Sequence, residues 1–371
     1  MKKISTRITV SIFCFFIGIF FFLNLILPDK SFSDKENRSL QTIPKFTLTS
    51  LFNGTYTSRF ESYCSDQFAF RDQWIEIKAA FELLLGKTEN NDVYFCDGDR
   101  LLEAYSAPDD DRIALSAASN DVLLNADVPV SFALIPTSTE LYSDLLPNGA
   151  PSDDQSLVID KAYAATSLQT IDILSALAEH ADEPIFYRTD HHWTSLGAMY
   201  AANAIRSSWG IPEIDIDTLS EEVITEDFCG TLYSSSGFFW VEPDTMEILV
   251  SEPSNSGVHQ YETNGTEKSL PIYNWDKLSV KDKYSFFLGG VIPRAVIDTG
   301  TENKPSLLIV RDSYSDSLVP FLLDEFSEIH LLDLRYYTGS VTDYITEYGI
   351  DRVLVLYGIN NFSTDASIRI N

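Results

Sequence analysis

The chain is poor in positive charge: 26 Lys and Arg stand against 55 Asp and Glu in 371 residues, a formal net charge of −29 at pH 7. A surface with this balance is repelled by phosphates and anionic headgroups, which excludes binding of nucleic acid or an acidic membrane through a broad basic face. Cysteine is scarce as well. Of the four, Cys14 lies in an apolar run, leaving Cys64, Cys96 and Cys229 with no C-x-x-C and no zinc spacing, so at most one disulfide can form among them. The chain also lacks an internal repeat, a low-complexity tract and a second long apolar segment. What is present, 44% hydrophobic and 13% aromatic residues, suffices for a sizeable core in one large domain or two small ones.

One long apolar run exists. Lys2, Lys3 and Arg7 precede "ITVSIFCFFIGIFFFLNLIL", Ile8 to Leu27, which is long enough for a helix to cross a bilayer. Bulky Phe and Leu continue up to Pro28 with no A-x-A cleavage pattern, so the run reads as an uncleaved signal anchor. A cleaved signal peptide is the alternative, and it leaves export intact. With positive charge retained inside, residues 1–7 form a cytoplasmic tail, 8–27 a single transmembrane span, and everything beyond Pro28 lies outside the cytoplasm. Residues 28–90 read as a tether followed by a helical segment, in which Ile75, Ile77, Phe81, Leu84 and Leu85 recur at helical steps until Gly86.

From residue 91 onward, short strand-like runs alternate with helical stretches. Strands are expected at Val93–Cys96, Val130–Ile135, Ile185–Tyr187, Leu307–Val310, Ile329–Leu332 and Val353–Tyr357. Helices are expected near 111–126, 157–180, 195–209, 315–326 and 340–348. This alternation predicts an α/β domain with a mainly parallel sheet covered by helices on both faces, and a site at the carboxyl ends of its strands. Residues 215–300 break the rhythm and read as a β-rich insertion or lid. Within it, Phe238, Phe239 and Trp240 are either a sugar platform or packed core.

Chemistry concentrates in two places. In "YRTDHHWTSLGAMYAANAI", Thr194 caps a helix that Gly210 ends, and Asp190, His191 and His192 occupy the turn before it. Alternation in an extended segment puts Asp190 and His192 on one side, as a carboxylate orienting an imidazole base requires. Adjacent histidines suit a metal poorly, since a helical zinc pair needs a spacing of four. A hydrogen-bonded pair that caps the helix, with Trp193 as core anchor, is the structural alternative. In "PSLLIVRDSYSDSLVPFLLDEF", a buried-looking strand stops at Arg311 and a helix begins near Ser315, so Ser313 sits on a sharp turn with backbone N–H groups behind it. G-x-S-x-G is absent, and helix capping by Asp312, Ser313, Ser315 and Ser317 is the competing reading.

The combination of "TDHHWT" with a downstream "RDSYS" resembles the DHHW proteins, bacterial cell-surface relatives of the alginate O-acetyltransferases within the SGNH-like (flavodoxin-like) hydrolase and acyltransferase fold. "ENRSLQTIP", "FESYCSDQFAFRD", "LIPTSTELYSDLLP" and "GTLYSSSG" also resemble blocks of that family, extending the likeness from about Glu36 to Phe362. The resemblance implies Ser313 as nucleophile, His192 as base and Asp190 as orienting acid. Arg311-Asp312-Ser313 stands where the fold's usual block has Gly-Asp-Ser. Asn360, Asn361, Arg311 and Tyr314 are the candidates for the oxyanion hole or substrate contact, and no cofactor or metal is implied. The resemblance further implies acetyl transfer to a hydroxyl of an extracellular glycan, with a multi-spanning membrane acyltransferase as acyl donor, or ester hydrolysis if water is the acceptor. A non-catalytic polysaccharide-binding or complex-assembly protein on the same fold is the alternative.

Overall fold

The computed structural model describes the backbone of residues 2–250, 257–290 and 292–370, and the side chains of these from residue 6 onward. The described residues form two compact units. One comprises 1–90 with Tyr233–Trp240, the other 91–232 with 241–371.

In the smaller unit the apolar run is a helix, Lys2–Ile26. The segment read as a tether contains a short antiparallel pairing of Phe32–Ser33 with Arg38–Ser39. The helical stretch after it is not one helix. It divides into Leu48–Phe52, Thr55–Asp66 and Arg71–Leu84, because Gly54 and Phe70 adopt left-handed φ values of 79° and 59° that cannot continue a right-handed turn. The break at Phe70 is tied down by ion pairs. Arg38 forks onto Asp66 at 2.6 and 3.1 Å, and Arg71 pairs with Glu36, so the "ENRSL" and "FRD" blocks meet here. Phe238 and Phe239 are buried in this unit, which makes them packing residues and not a sugar platform.

The larger unit is built on an eight-stranded sheet. In spatial order the strands are Glu267–Pro271, Gly257–Tyr261, Arg294–Asp298, Glu328–Leu332, Ser306–Arg311, Arg352–Gly358, Val130–Ile135 and Gln169–Ile171. The last five run parallel. The first three are antiparallel additions at one edge. The sheet is therefore mixed where a mainly parallel one was expected, and the reason lies in residues 215–300. Part of that region extends the central sheet, while Ser220–Phe228 and Asp244–Val250 form a separate two-stranded ribbon. Residues 251–256 and 291 of the insertion lie outside the described residues.

"SLLIVR" and "RVLVLYG" are uninterrupted apolar runs because both faces of the sheet are covered. Leu307, Ile309, Leu354 and Leu356 enter one apolar cluster with Ala198, Met199, Ala202 and Ile205 of the helix Ser195–Ser208. Leu308, Val310, Val353 and Val355 enter a second with Ile113, Val158, Tyr344 and Ile345. Helix starts follow the local chemistry: Asp109, Asp154, Thr194 and Ser340 each accept a backbone N–H of the first turn.

Two expected elements differ. The 157–180 stretch is a helix Gln155–Ala164, the edge strand Gln169–Ile171 and a short helix Ile173–Ala178. Asp172 caps that last helix and so ends the strand. Ile185–Tyr187 is not a strand, since only a single bridge joins Phe186 to Trp193, and these residues instead fold back over the turn that follows them. Among the described residues Cys14, Cys64 and Cys96 are in no disulfide.

Candidate active site

Ser313 follows the strand Ser306–Arg311 at its carboxyl end and is half-buried, whereas Arg311, Asp312, Tyr314 and Ser315 around it are buried. Its hydroxyl is thus the reachable polar group of the turn. Asp312 fixes the turn from beneath. One carboxylate oxygen accepts the Tyr314 N–H at 3.2 Å, and the other accepts the Gly358 N–H at 2.7 Å and the Asn361 amide at 2.8 Å. The helix behind Ser313 is shorter than the sequence suggests: one α-helical turn, Ser315–Leu318, continues as a 3-10 segment, Val319–Glu325.

The His turn arrives from the other side. His192 Nε2 lies 2.8 Å from Ser313 Oγ, and His192 Nδ1 lies 2.6 Å from Asp190 Oδ1. The same carboxylate oxygen accepts the His192 backbone N–H at 2.9 Å, so the acid also shapes the backbone that carries the base. Asp190 Oδ2 accepts the N–H and hydroxyl of Thr231 at 2.7 and 3.1 Å. Burial pushes the Asp190 carboxyl up, but the facing His192 and His191 and the hydrogen bonds from His192 and Thr231 hold it well below the ordinary carboxylate range. A buried anion therefore faces the imidazole edge remote from the serine.

Tryptophan and tyrosine lock the two turns together. Trp193 donates its indole N–H to Tyr314 O at 3.1 Å and Ser317 Oγ at 2.9 Å, and the Tyr314 hydroxyl donates to His191 O at 2.6 Å. Tyr284 stacks on the His192 ring at 3.7 Å with planes 6° apart, while its hydroxyl meets Ser317 Oγ at 2.9 Å. Burial pushes the Tyr284 phenol well above its ordinary pKa, so it stays neutral against the imidazole. Replacing Trp193 by phenylalanine keeps most of the apolar contact but removes the indole N–H that bonds Tyr314 O and Ser317 Oγ. The expected cost is about 1–3 kcal/mol, read from the denaturant midpoint.

The remaining candidates are largely tied to other groups, although the buried Arg311 Nε has no hydrogen-bond partner among the described residues. Arg311 is fully buried and paired with Asp316, the Asn361 amide is held by Asp312, and the Tyr314 hydroxyl serves the His turn. Asn360 sits beside Glu103, whose carboxyl is pushed up by burial and down by His191 and the Asn360 hydrogen bond. Asp190, His191 and His192 hold ligand-type atoms within 4.8 Å of one another. Both His192 nitrogens and both Asp190 oxygens already carry the hydrogen bonds above, so a cation there would have to break them.

Sequence reasoning assigned no role to Tyr284, Gly230 or Thr231. The "GTL" of "GTLYSSSG" was the available signal. Gly230 is required because a Cβ there would lie 2.2 Å from the Asp190 carboxylate. Gly230→Ala is accordingly expected to displace Asp190 and lower turnover by about a hundredfold, with secondary structure retained, as checked by kinetics beside circular dichroism. Asp244 adds a second carboxylate support, accepting the Thr189 N–H and hydroxyl at 2.8 and 2.6 Å.

With the geometry in place, comparison with known proteins is informative. The family described as DHHW protein matches residues 86–332. The chain belongs to the DHHW family. Among solved structures, a DHHW family protein from Eubacterium siraeum superposes with a TM-score of 0.65 at 26% identity, over 75% of this chain and 94% of that one. Bacillus cereus PatB1, solved also with a sulfonyl adduct, gives 0.64 at 20% identity over 74% and 98%, a likeness of fold. A curated relative, the probable alginate O-acetylase AlgJ of Pseudomonas syringae pv. tomato, is 24% identical over 209 residues, 53% of this chain. The DHHW protein described here spans about half of that relative's length, 52%.

Proposed function

We propose that this DHHW protein is a membrane-anchored O-acetyltransferase with an SGNH-like catalytic domain outside the cytoplasm, acting on a cell-surface or secreted polysaccharide through Ser313, His192 and Asp190. The observation that carries the reading is the continuous chain from Ser313 Oγ to His192 Nε2 at 2.8 Å and from His192 Nδ1 to Asp190 at 2.6 Å. A cap or a core histidine needs no reachable hydroxyl at its outer nitrogen, whereas an activated nucleophile does. The AlgJ relative's O-acetylase name supports the reaction type. The apolar helix Lys2–Ile26 supports the anchor, with an exported, cleaved form as the variant of that reading.

In this mechanism Ser313 Oγ attacks the acetyl carbonyl while its proton passes to His192 Nε2. Asp190 accepts the Nδ1–H and stabilises the imidazolium. His192 returns the proton to the departing donor group, leaving acetyl-Ser313. A sugar hydroxyl then gives its proton to His192, attacks the acetyl carbon and releases Ser313 Oγ, which recovers the proton. A multi-spanning membrane acyltransferase is the proposed source of the acetyl group. The test is to incubate the chain with an activated acetyl ester and a panel of neutral and acidic oligosaccharides. Mass gain on an acceptor supports transfer. Hydrolysis unaffected by every acceptor makes the protein an esterase, and glycan binding without turnover makes it a non-catalytic binding protein.

A further inference from the structure

The helix Arg71–Leu84 in the smaller unit presents its apolar residues on two opposite sides. Ile75, Ala79 and Leu83 form the side packed on protein: a Cβ at Gly237 would lie 2.9 Å from Ile75 Cγ2 and 3.9 Å from Ala79 Cβ. Phe70, Trp74, Ile77, Phe81 and Leu84 follow at alternating steps of four and three on the other side, and all five are exposed, Leu84 to 81%. A helix in water turns polar residues outward at such positions. Leu48 and Phe52 of the short helix Leu48–Phe52 are exposed as well, Phe52 to 86%.

What covers this face is indicated by the apolar helix Lys2–Ile26, with which it is continuous. Trp74 packs against Phe16 and Phe20 at ring distances of 6.2 and 5.6 Å. Phe68 stacks on Phe20 at 5.5 Å, and Asn24 accepts the Ala69 N–H at 2.6 Å. Arg7 and Asp29 bound the apolar run at either end, leaving no spare length: Ile8–Leu27 at 1.5 Å per residue spans about 30 Å, the thickness of the hydrocarbon. Phe16 and Phe20 lie 11 and 7 residues before Leu27, about 16 and 10 Å below the outer boundary. A ring that touches both is itself below that boundary.

We infer that the Phe70, Trp74, Ile77, Phe81 and Leu84 face lies among the acyl chains of the outer leaflet beside the first helix, so that this protein is held by an embedded helical wedge as well as by a single span. The inference rests on the anchoring reading above. An inserted apolar face adds adhesion in proportion to its area and fixes the tilt of the smaller unit against the bilayer, which a lone span joined to a flexible tether does not.

The test uses the full chain with Cys14, Cys64 and the half-buried Cys229 replaced by alanine, Cys96 being buried, reconstituted in phosphatidylcholine and phosphatidylglycerol vesicles. Nitroxide labels are placed singly at Phe16→Cys, Phe81→Cys, Leu84→Cys and the exposed Thr346→Cys of the larger unit. Collision with lipid-soluble oxygen is compared with collision with a water-soluble nickel chelate. The expected result is that labels at positions 81 and 84 favour oxygen severalfold, as at 16, and that the label at 346 favours nickel. If 81 and 84 behave like 346 while 16 reads as lipid, the wedge is overturned and the anchor stands, leaving the face to a protein partner. If 16 also reads as aqueous, the anchoring reading fails and the wedge falls with it.

Discussion

Ser313→Ala is expected to lower turnover of an activated acetyl ester by at least about a thousandfold, with little change in stability. The size follows from the position of the hydroxyl. Ser313 Oγ is the group that His192 Nε2 reaches, and the neighbouring serines cannot substitute for it: Ser315 Oγ donates to Asp312 O at 2.9 Å, and Ser317 Oγ lies between Trp193 and Tyr284. Stability is spared because Ser313 is half-buried and its side chain holds no part of the turn, which Asp312 organises. Kinetics and thermal melts on the same sample separate the two effects. A variant that retains ester turnover while folded removes Ser313 from the mechanism.

The second large effect is at Asp190. Asp190→Asn keeps the shape of the side chain but places an amide where Nδ1–H, two N–H groups and a hydroxyl all donate. Turnover is expected to fall by roughly 10³–10⁴ through loss of the imidazole orientation and of the charge opposite the imidazolium. The substitution also has a signature in pH. The folded carboxyl is held below the ordinary value of about 3.9, so between the two values the unfolded chain binds more protons than the folded one. Stability therefore rises with pH in that window. Wild-type protein should hold its full Asp190 contribution above about pH 4 and lose it progressively on further acidification, while Asp190→Asn lacks this loss. Melting curves of the two proteins from pH 3 to pH 7 are expected to run parallel above about pH 5 and to draw closer below about pH 4. Parallel curves throughout would mean that Asp190 is not the stabilised anion described here.

The parts of this structure that were legible in the sequence are those where one physical requirement dominates. Val130–Ile135 and the strand around Leu307–Val310 were visible as continuous apolar runs because central parallel strands are buried on both faces. The helix after Thr194 was visible through its cap and through Gly210 beyond its end. Asp190 and His192 could be paired from their spacing, and Ser313 located at a strand end, but the alternation expected to turn His191 away fails: the segment is a turn, and His191 Nδ1 lies 3.6 Å from Asp190 with its ring 3.8 Å from that of His192. Features that depend on distant segments were less legible. The edge strand Gln169–Ile171 is three residues long and was merged into a helix whose periodicity it barely interrupts. The antiparallel strands between 257 and 298 carry no local sign that they extend the central sheet and do not form a lid. Tyr284 lies 92 positions after His192 in the chain, and nothing in "DKYSFF" indicates that its ring meets the imidazole. Arg311 was a candidate through the resemblance alone, and Asp316 five residues on provides it with a buried partner.

The most direct test of the account is intact-protein mass spectrometry of the full chain mixed briefly with an activated acetyl ester, followed by peptide mapping, for wild type and Ser313→Ala. One acetyl group on the peptide containing Ser313, formed before steady turnover and absent from the variant, is the predicted result. Ester turnover by folded wild-type protein with no acetyl at Ser313, or an equal adduct in both proteins, would contradict it.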